Sequence, residues 1–232
     1  MASLALTAAP ANAALDEIGD DPHYTPGGFF DIHICNWPER EPFFKLVFST
    51  FDYDDVSRVI VRDPQGQQLA DMDFAHYVQF ESRGRPKRAF VNDMLVPADA
   101  RSGWYTADIL FRDGRTFRGE DWVETGLLPL PEPLLPADGA EEVLLPVSLS
   151  WEPVAGATHY QVFVRDLWNE RNLVFRSKIV PSTTVSIPAG KLEPGGWYEW
   201  LVHARDVHED PRLGDFNLGS QTRYFQFTVK ED

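Results

Sequence analysis

Apolar and polar positions alternate with a period of two along most of the chain, the pattern of strands with one buried face. Ile32 and Ile34 alternate with Asp31, His33 and Cys35, and Leu46 and Phe48 with Lys45, Val47 and Ser49. Val59–Val61 runs into Asp63-Pro64-Gln65-Gly66, whose Pro at the second position and Gly at the fourth suit a type I turn. Tyr77–Phe80 and Ala89–Val91 flank Ser82-Arg83-Gly84-Arg85-Pro86. Trp104–Phe111 faces Thr116–Val123 across Arg112-Asp113-Gly114-Arg115, where Asp-Gly between two β-rich runs signals a hairpin. About seven strands with turns every 8–12 residues predict a sandwich of the immunoglobulin type over 28–126. No stretch predicts a helix.

A second block of alternation follows. Val147–Trp151 leads through Glu152-Pro153-Val154-Ala155-Gly156-Ala157 to Tyr160–Val164, then Leu192-Glu193-Pro194-Gly195 precedes Tyr198–Ala204, and Tyr224–Val229 closes the chain. With Trp151 in the second strand, Tyr160 opening the third and Leu192-x-Pro194-x-x-x-Tyr198, residues 134–232 resemble a fibronectin type III domain. The entry Pro136-Ala137-Asp138-Gly139-Ala140 and Trp200 in the sixth strand are similar to versions found in bacterial exported and surface proteins. The resemblance implies a tyrosine corner at Tyr198, its phenol bonded to upstream backbone. The expectation is an all-β chain with two β-sandwich domains in tandem, immunoglobulin-like over 28–126 and fibronectin type III-like over 143–232.

Between them, Leu127–Pro146 carries prolines at 129, 131, 133, 136 and 146. Proline fixes φ and removes a donor, so this stretch can be neither a helix nor a central strand. A polyproline spacer over 127–142 is expected. At the other end, MASLALTAAPANA is uncharged and closes on Ala11-Asn12-Ala13, a small-x-small pattern of the kind signal peptidase reads, though no basic n-region precedes it. Residues 1–27 therefore read as a signal-peptide remnant followed by a flexible acidic leader (Asp16, Glu17, Asp20, Asp21). Periplasmic or secreted localisation through bacterial export is the expectation.

Composition narrows the function. Of 232 residues, 21 are Lys or Arg and 36 Asp or Glu, a formal charge of −15. That balance disfavours partners made of phosphate, nucleic acid above all. No apolar run reaches the 18 residues of a spanning helix. Cys35 is the sole cysteine, which excludes an intrachain disulfide and a cysteine-cluster metal site.

Candidate chemistry is sparse. Asp31, His33 and Cys35 share one strand face about 7 Å apart in sequence steps, too widely spaced to close on one ion, so a half-solvated face is expected. Asp52, Asp54 and Asp55 make an acidic loop without the Gly and distal Glu of an EF-hand. His203, Asp206, His208, Glu209 and Asp210 form the richest ligand-type cluster, with His203, His208 and Asp206 as weak metal candidates and His203 facing outward. Arg83, Arg85, Lys87 and Arg88 form a basic loop suited to an acidic partner or an anionic polysaccharide. Trp37, Trp104, Trp122, Trp168 and Trp197 supply stacking faces if exposed. The long connection 205–222 exceeds the usual hairpin, and long loops on rigid sheets often carry recognition.

No phosphate loop, nucleophile elbow or zincin motif is present. These readings predict a non-enzymatic exported binding protein with no cofactor, its partner a protein or glycan of the cell envelope. The contact residues would be Trp168, Asp206, His208, Asp210, Arg212, Asp215 and Phe216, on loops sharing one sandwich end. The alternatives are a carbohydrate-associated module and a metal-binding envelope protein.

Overall fold

The computed structural model describes residues 21–206 and 216–231, and every regular element among them is a strand. The first half holds β1 (Tyr24–Thr25), β2 (Gly28–Asn36), β3 (Phe43–Thr50), β4 (Val56–Arg62), β5 (Gln68–Asp71), β6 (Tyr77–Ser82), β7 (Arg85–Leu95), β8 (Gly103–Phe111) and β9 (Thr116–Val123). The second holds β10 (Pro133–Leu135), β11 (Ala140–Val143), β12 (Ser148–Trp151), β13 (His159–Asp166), β14 (Asn172–Arg176), β15 (Thr184–Ser186), β16 (Trp197–Arg205), β17 (Leu218–Gln221) and β18 (Phe225–Val229). No described helix is long and apolar enough to cross a membrane. The fold is all-β, as the alternation predicts.

Contacts group the described residues into two compact units. One draws on Met1–Asp31, Leu46–Asn92 and Trp104–Asp121; the other on Ile32–Lys45, Asp93–Gly103 and Trp122–Asp232. In the first, the order β5-β4-β8-β9 makes one sheet, and β7 pairs with β6 in another. Strand β8 alternates in burial residue by residue, burying Tyr105, Ala107, Ile109 and Phe111, with Ile109 opposite Val59 and Ala107 opposite Val61 on β4. The larger of these side chains, such as Ile109 and Phe111, each contribute about 1.5–3 kcal/mol when removed from water. Turn chemistry sets the register. Gly66 N–H donates to Asp63 O (2.9 Å) between β4 and β5, and Gly114 N–H to Phe111 O (3.0 Å) between β8 and β9. Arg83 and Gly84 both take positive φ, 52° and 70°, giving the two-residue turn whose twist matches a tight hairpin.

The second unit has the sheet β10-β12-β15 and, opposite it, β14-β13-β16 with β18, β11 and β17 beyond. Its core centres on Trp151, Tyr160, Val162, Val164, Tyr198, Trp200, Val202 and Phe227. Two phenols tie backbone to this core: Val154 N–H donates to Tyr160 Oη at 3.0 Å and Glu193 N–H to Tyr198 Oη at 2.9 Å. The second is the tyrosine corner that the fibronectin type III resemblance implies.

The proline-dense stretch is held down along its length. Asn36 Nδ2 donates to Leu128 O and Ser220 Oγ to Pro129 O, while the Leu128 side chain is buried in the core. Pro133 opens β10 at a sheet edge, where its missing N–H costs no ladder bond.

Two strands depart from simple alternation. In β2 every residue from Phe30 to Cys35 is buried, so Asp31, His33 and Cys35 do not form the half-solvated face expected from their spacing. In β16 the face opposite the core, Glu199, Leu201, His203 and Arg205, is buried as well.

Candidate binding surface

The turn from β13 to β14 is built around one carboxylate. Asp166 Oδ1 accepts from Trp168 N–H at 2.8 Å, and Oδ2 accepts from Asn169 Nδ2 at 2.6 Å. Asn172 N–H closes the turn on Asn169 O, and Leu167 N–H donates to Trp197 O on β16. Glu170 and Arg171 adopt left-handed φ values of 52° and 59°, a conformation non-glycine residues take only where the surroundings enforce it. The outcome is a rigid turn that holds the Trp168 side chain out, 68% exposed. Its ring meets Trp197 at 5.7 Å and 69°, so the two indoles form a corner and not a flat row.

Beside that corner lies an arginine-lined ring. The Arg171 and Arg165 guanidinium carbons stand 5.3 and 5.4 Å from the Tyr224 ring centre, within cation–π range. Arg171 also donates through Nε (2.9 Å) and Nη2 (2.7 Å) to Glu199 Oε1, a carboxylate on the buried outer face of β16. Pairing offsets the desolvation of Glu199 and fixes Arg171 in place. Arg165 Nε is buried without a hydrogen-bond partner among the described residues. Leu173, 49% exposed, pairs with Arg165 across β13 and β14. Trp168 and Trp197 stand out in the sequence as aromatic faces; Arg165, Arg171, Glu199 and Tyr224 join them only through the strand register.

The long connection starts elsewhere. His159 pairs with Arg205 and Asp166 with Tyr198, so β13 begins where β16 ends. Seven residue steps of about 3.4 Å put the Trp168 turn roughly 24 Å from the start of the long connection. The described ends of that connection, Asp206 and Asn217, therefore adjoin the end of the β13–β16 pair opposite the Trp168 turn. His208, Asp210, Arg212 and Asp215 lie outside the described residues. Asp206 is a clamp at the base of that connection. Its Oδ1 accepts from Asn217 N–H (3.1 Å) and Leu218 N–H (2.9 Å), and its own N–H donates to Leu218 O.

Phe216, expected as a contact residue, is 8% exposed and turned inward. Its ring lies 4.1 Å from His33 and 5.4 Å from His203, with the Arg205 guanidinium 4.6 Å away. This aromatic cover buries His203, which the sequence pattern placed in solvent. Burial first, then the charges of Arg205, His33 and Lys45, push the His203 pKa well below its ordinary value. The imidazole is therefore neutral, and its Nδ1 accepts from Arg205 Nε at 3.2 Å, which assigns the proton to Nε2. A nitrogen committed to a guanidinium is a poor metal ligand. No group of three or more His, Cys, Asp or Glu among the described residues is arranged to hold an ion. Asp52 and Asp54 instead face Arg85 and Arg88, at 3.6 and 3.9 Å. Trp104 and Trp122 are about half exposed, and Trp37 packs edge-on against Phe43.

No protein-family model and no curated protein matches the sequence. Among solved structures, the chicken CNTN1 FN1–FN3 domains are similar at 13% identity, with 92% of this chain and 69% of that chain covered and a TM-score of 0.38. A Bacteroides ovatus protein, SGBP-B of a mixed-linkage glucan utilization locus in complex with a mixed-linkage heptasaccharide, is similar at 11% identity. There 85% of this chain and 43% of that chain are covered, with a TM-score of 0.23. What the chain itself shows is β-sandwich architecture, with the resemblance of its C-terminal half to fibronectin type III domains carried by Trp151, Tyr160 and the Tyr198 corner.

Proposed function

We propose that this is an exported, non-catalytic binding protein that engages a protein partner of the cell envelope through the surface centred on Trp168. The observation that carries the reading is the rigid turn presenting an indole 68% exposed. The ring packs edge-on against Trp197 and leaves the rest of a large apolar surface open to contact. A fixed aromatic with arginines at its side loses little conformational entropy on contact, and Trp, Tyr and Arg dominate the energetics of protein interfaces. The corner angle of Trp168 and Trp197 favours a protein over a glycan, since sugar rings stack on flat aromatic faces. A non-catalytic role is supported at one cavity of about 240 Å³, lined by Leu145, Pro146, Val147, Ile187, Pro188 and Leu192, where no group could transfer a proton in the physiological range. Export is supported by the Ala11-Asn12-Ala13 pattern.

Amide exchange of the intact protein, alone and with envelope extract, tests this. Slowed exchange over residues 166–173 is expected. Exchange unchanged there, with protection elsewhere, overturns the placement. Indole fluorescence that shifts with a soluble glycan panel and not with envelope proteins would replace the partner class.

A further inference from the structure

A second surface lies on the first unit, at the outer edge of β6. Among the described residues this strand pairs with β7 alone, in unbroken register from Tyr77↔Phe90 to Ser82↔Arg85, and ends the strand order of its sheet. Exposed edges are usually blunted by proline, lysine, bulges or short length. Strand β6 has six residues, Tyr-Val-Gln-Phe-Glu-Ser, with no proline, no lysine and no break in register. Tyr77, Val78 and Phe80 are 46, 61 and 43% exposed. At the strand's start, a groove of about 270 Å³ opens between Ala75, His76, Tyr77, Val78 and Val91, large enough for one aliphatic side chain.

The charge beside this edge is positive on the face of Val78, Phe80 and Ser82, whereas the other face sets Arg88 beside the exposed Glu81. Pairing with β7 puts Lys87 and Arg85 on the face of Phe80 and Ser82, and Arg88 on the face of Gln79. The Arg85 and Lys87 cations lie 5.1 and 5.3 Å from the Phe51 ring centre, and Arg88 lies between Tyr53 (4.0 Å) and Tyr77 (4.3 Å). The aromatic contacts hold these cations extended. The carboxylates of Asp52 and Asp54 approach only to 3.6 and 3.9 Å, beyond hydrogen-bond distance, so the cluster is incompletely neutralised. Burial, and next the charge of Arg83, keep the Lys87 pKa below its ordinary value, as expected where cations crowd.

We propose that the β6 edge accepts an extended acidic segment of a partner protein as an added strand, with main-chain bonds to β6 and carboxylates reaching Arg85, Lys87 and Arg88. Unpaired edge amides favour a peptide over a polysaccharide, which has no matching ladder of donors and acceptors.

Fluorescence anisotropy of the full chain tests the proposal with a labelled twelve-residue peptide of alternating Glu and Thr. Its Lys–Thr counterpart and an analogue N-methylated at every second residue are the controls. Saturable binding of the Glu–Thr peptide is expected, weakened at least tenfold by N-methylation, by Arg85→Glu with Lys87→Glu, and by raised salt. Absence of binding overturns the proposal. So does equal binding of the N-methylated analogue, which would leave a charge patch alone. A heparin fragment that binds where the Glu–Thr peptide does not makes the surface a polysaccharide site, and sedimentation showing dimers broken by Phe80→Lys makes it a self-association edge. Both replace the acidic strand. Phe80 and Arg85 are exposed and Lys87 is half-buried, and a far-UV dichroism spectrum matching wild type verifies the fold of each variant.

Discussion

At the residue scale, a few polar atoms fix both the fold and the chemistry. The Tyr198 phenol accepts the Glu193 N–H within the core of the second sandwich. Tyr198→Phe leaves that donor without its partner and is expected to cost about 1–3 kcal/mol. Thermal unfolding checks this, with Tm falling by roughly 2–4 °C per kcal/mol in a chain of this size; an unchanged Tm would contradict the corner's role. His203 makes the stability of the fold depend on pH. Its imidazole is neutral when folded, with the pKa pushed down mainly by burial. An unfolded chain binds a proton there below about pH 6.5. The contribution is therefore fully present above pH 6.5 and declines as pH falls below it. Urea midpoints measured from pH 7.5 to 5 are expected to decrease in wild type and to flatten in His203→Gln. Equal slopes in the two proteins would show that His203 is not the group. His203 also marks a limit of sequence reading. Its place opposite Val202 and Ala204 was legible, but the Phe216 cover that buries it follows from tertiary packing.

At the element scale, alternation succeeded where one face meets a core and failed where both do. Strand β8 sends every second residue inward as its pattern says. The hairpin at Asp113-Gly114 and the turn at Asp63–Gly66 follow from local φ requirements, which the sequence carries in full. Strands β2 and β16 present polar residues on a face that is nonetheless buried. Asp206 illustrates the same difficulty: it reads as a metal or contact residue in a polar loop, whereas its oxygen caps the start of β17. Asp206→Ala removes a charged acceptor from two backbone donors, a loss of about 1.5–3 kcal/mol if neither finds water. Amide exchange over Leu218–Gln221 should accelerate about tenfold or more. Unchanged protection there would mean that β17 is held by its ladder bonds alone. The placement of Trp168 at the end of the β13–β16 pair opposite Asp206 likewise came only from register, because antiparallel neighbours exchange their ends.

At the scale of the whole molecule, the all-β class was legible from periodicity and from the absence of any helical pattern. The fibronectin type III resemblance carried the second sandwich down to a single hydrogen bond. Of the surface proposed for binding, the sequence singled out Trp168 but not Arg165, Arg171 and Tyr224, which converge from β13, the turn after it and the approach to β18. The basic β6 hairpin, with Arg83, Arg85, Lys87 and Arg88, stands out against a net charge of −15, whereas Arg165 and Arg171 share their surface with Asp166, Glu170 and Glu199. The most direct measurement is quantitative capture from envelope extract on immobilised wild type, Trp168→Ala and Leu144→Ala, the last an equally exposed apolar side chain outside the surface. Removing an exposed ring should leave stability within about 0.5 kcal/mol. The account predicts a saturable protein partner retained by wild type and Leu144→Ala and reduced at least tenfold by Trp168→Ala. Equal retention by all three would contradict it.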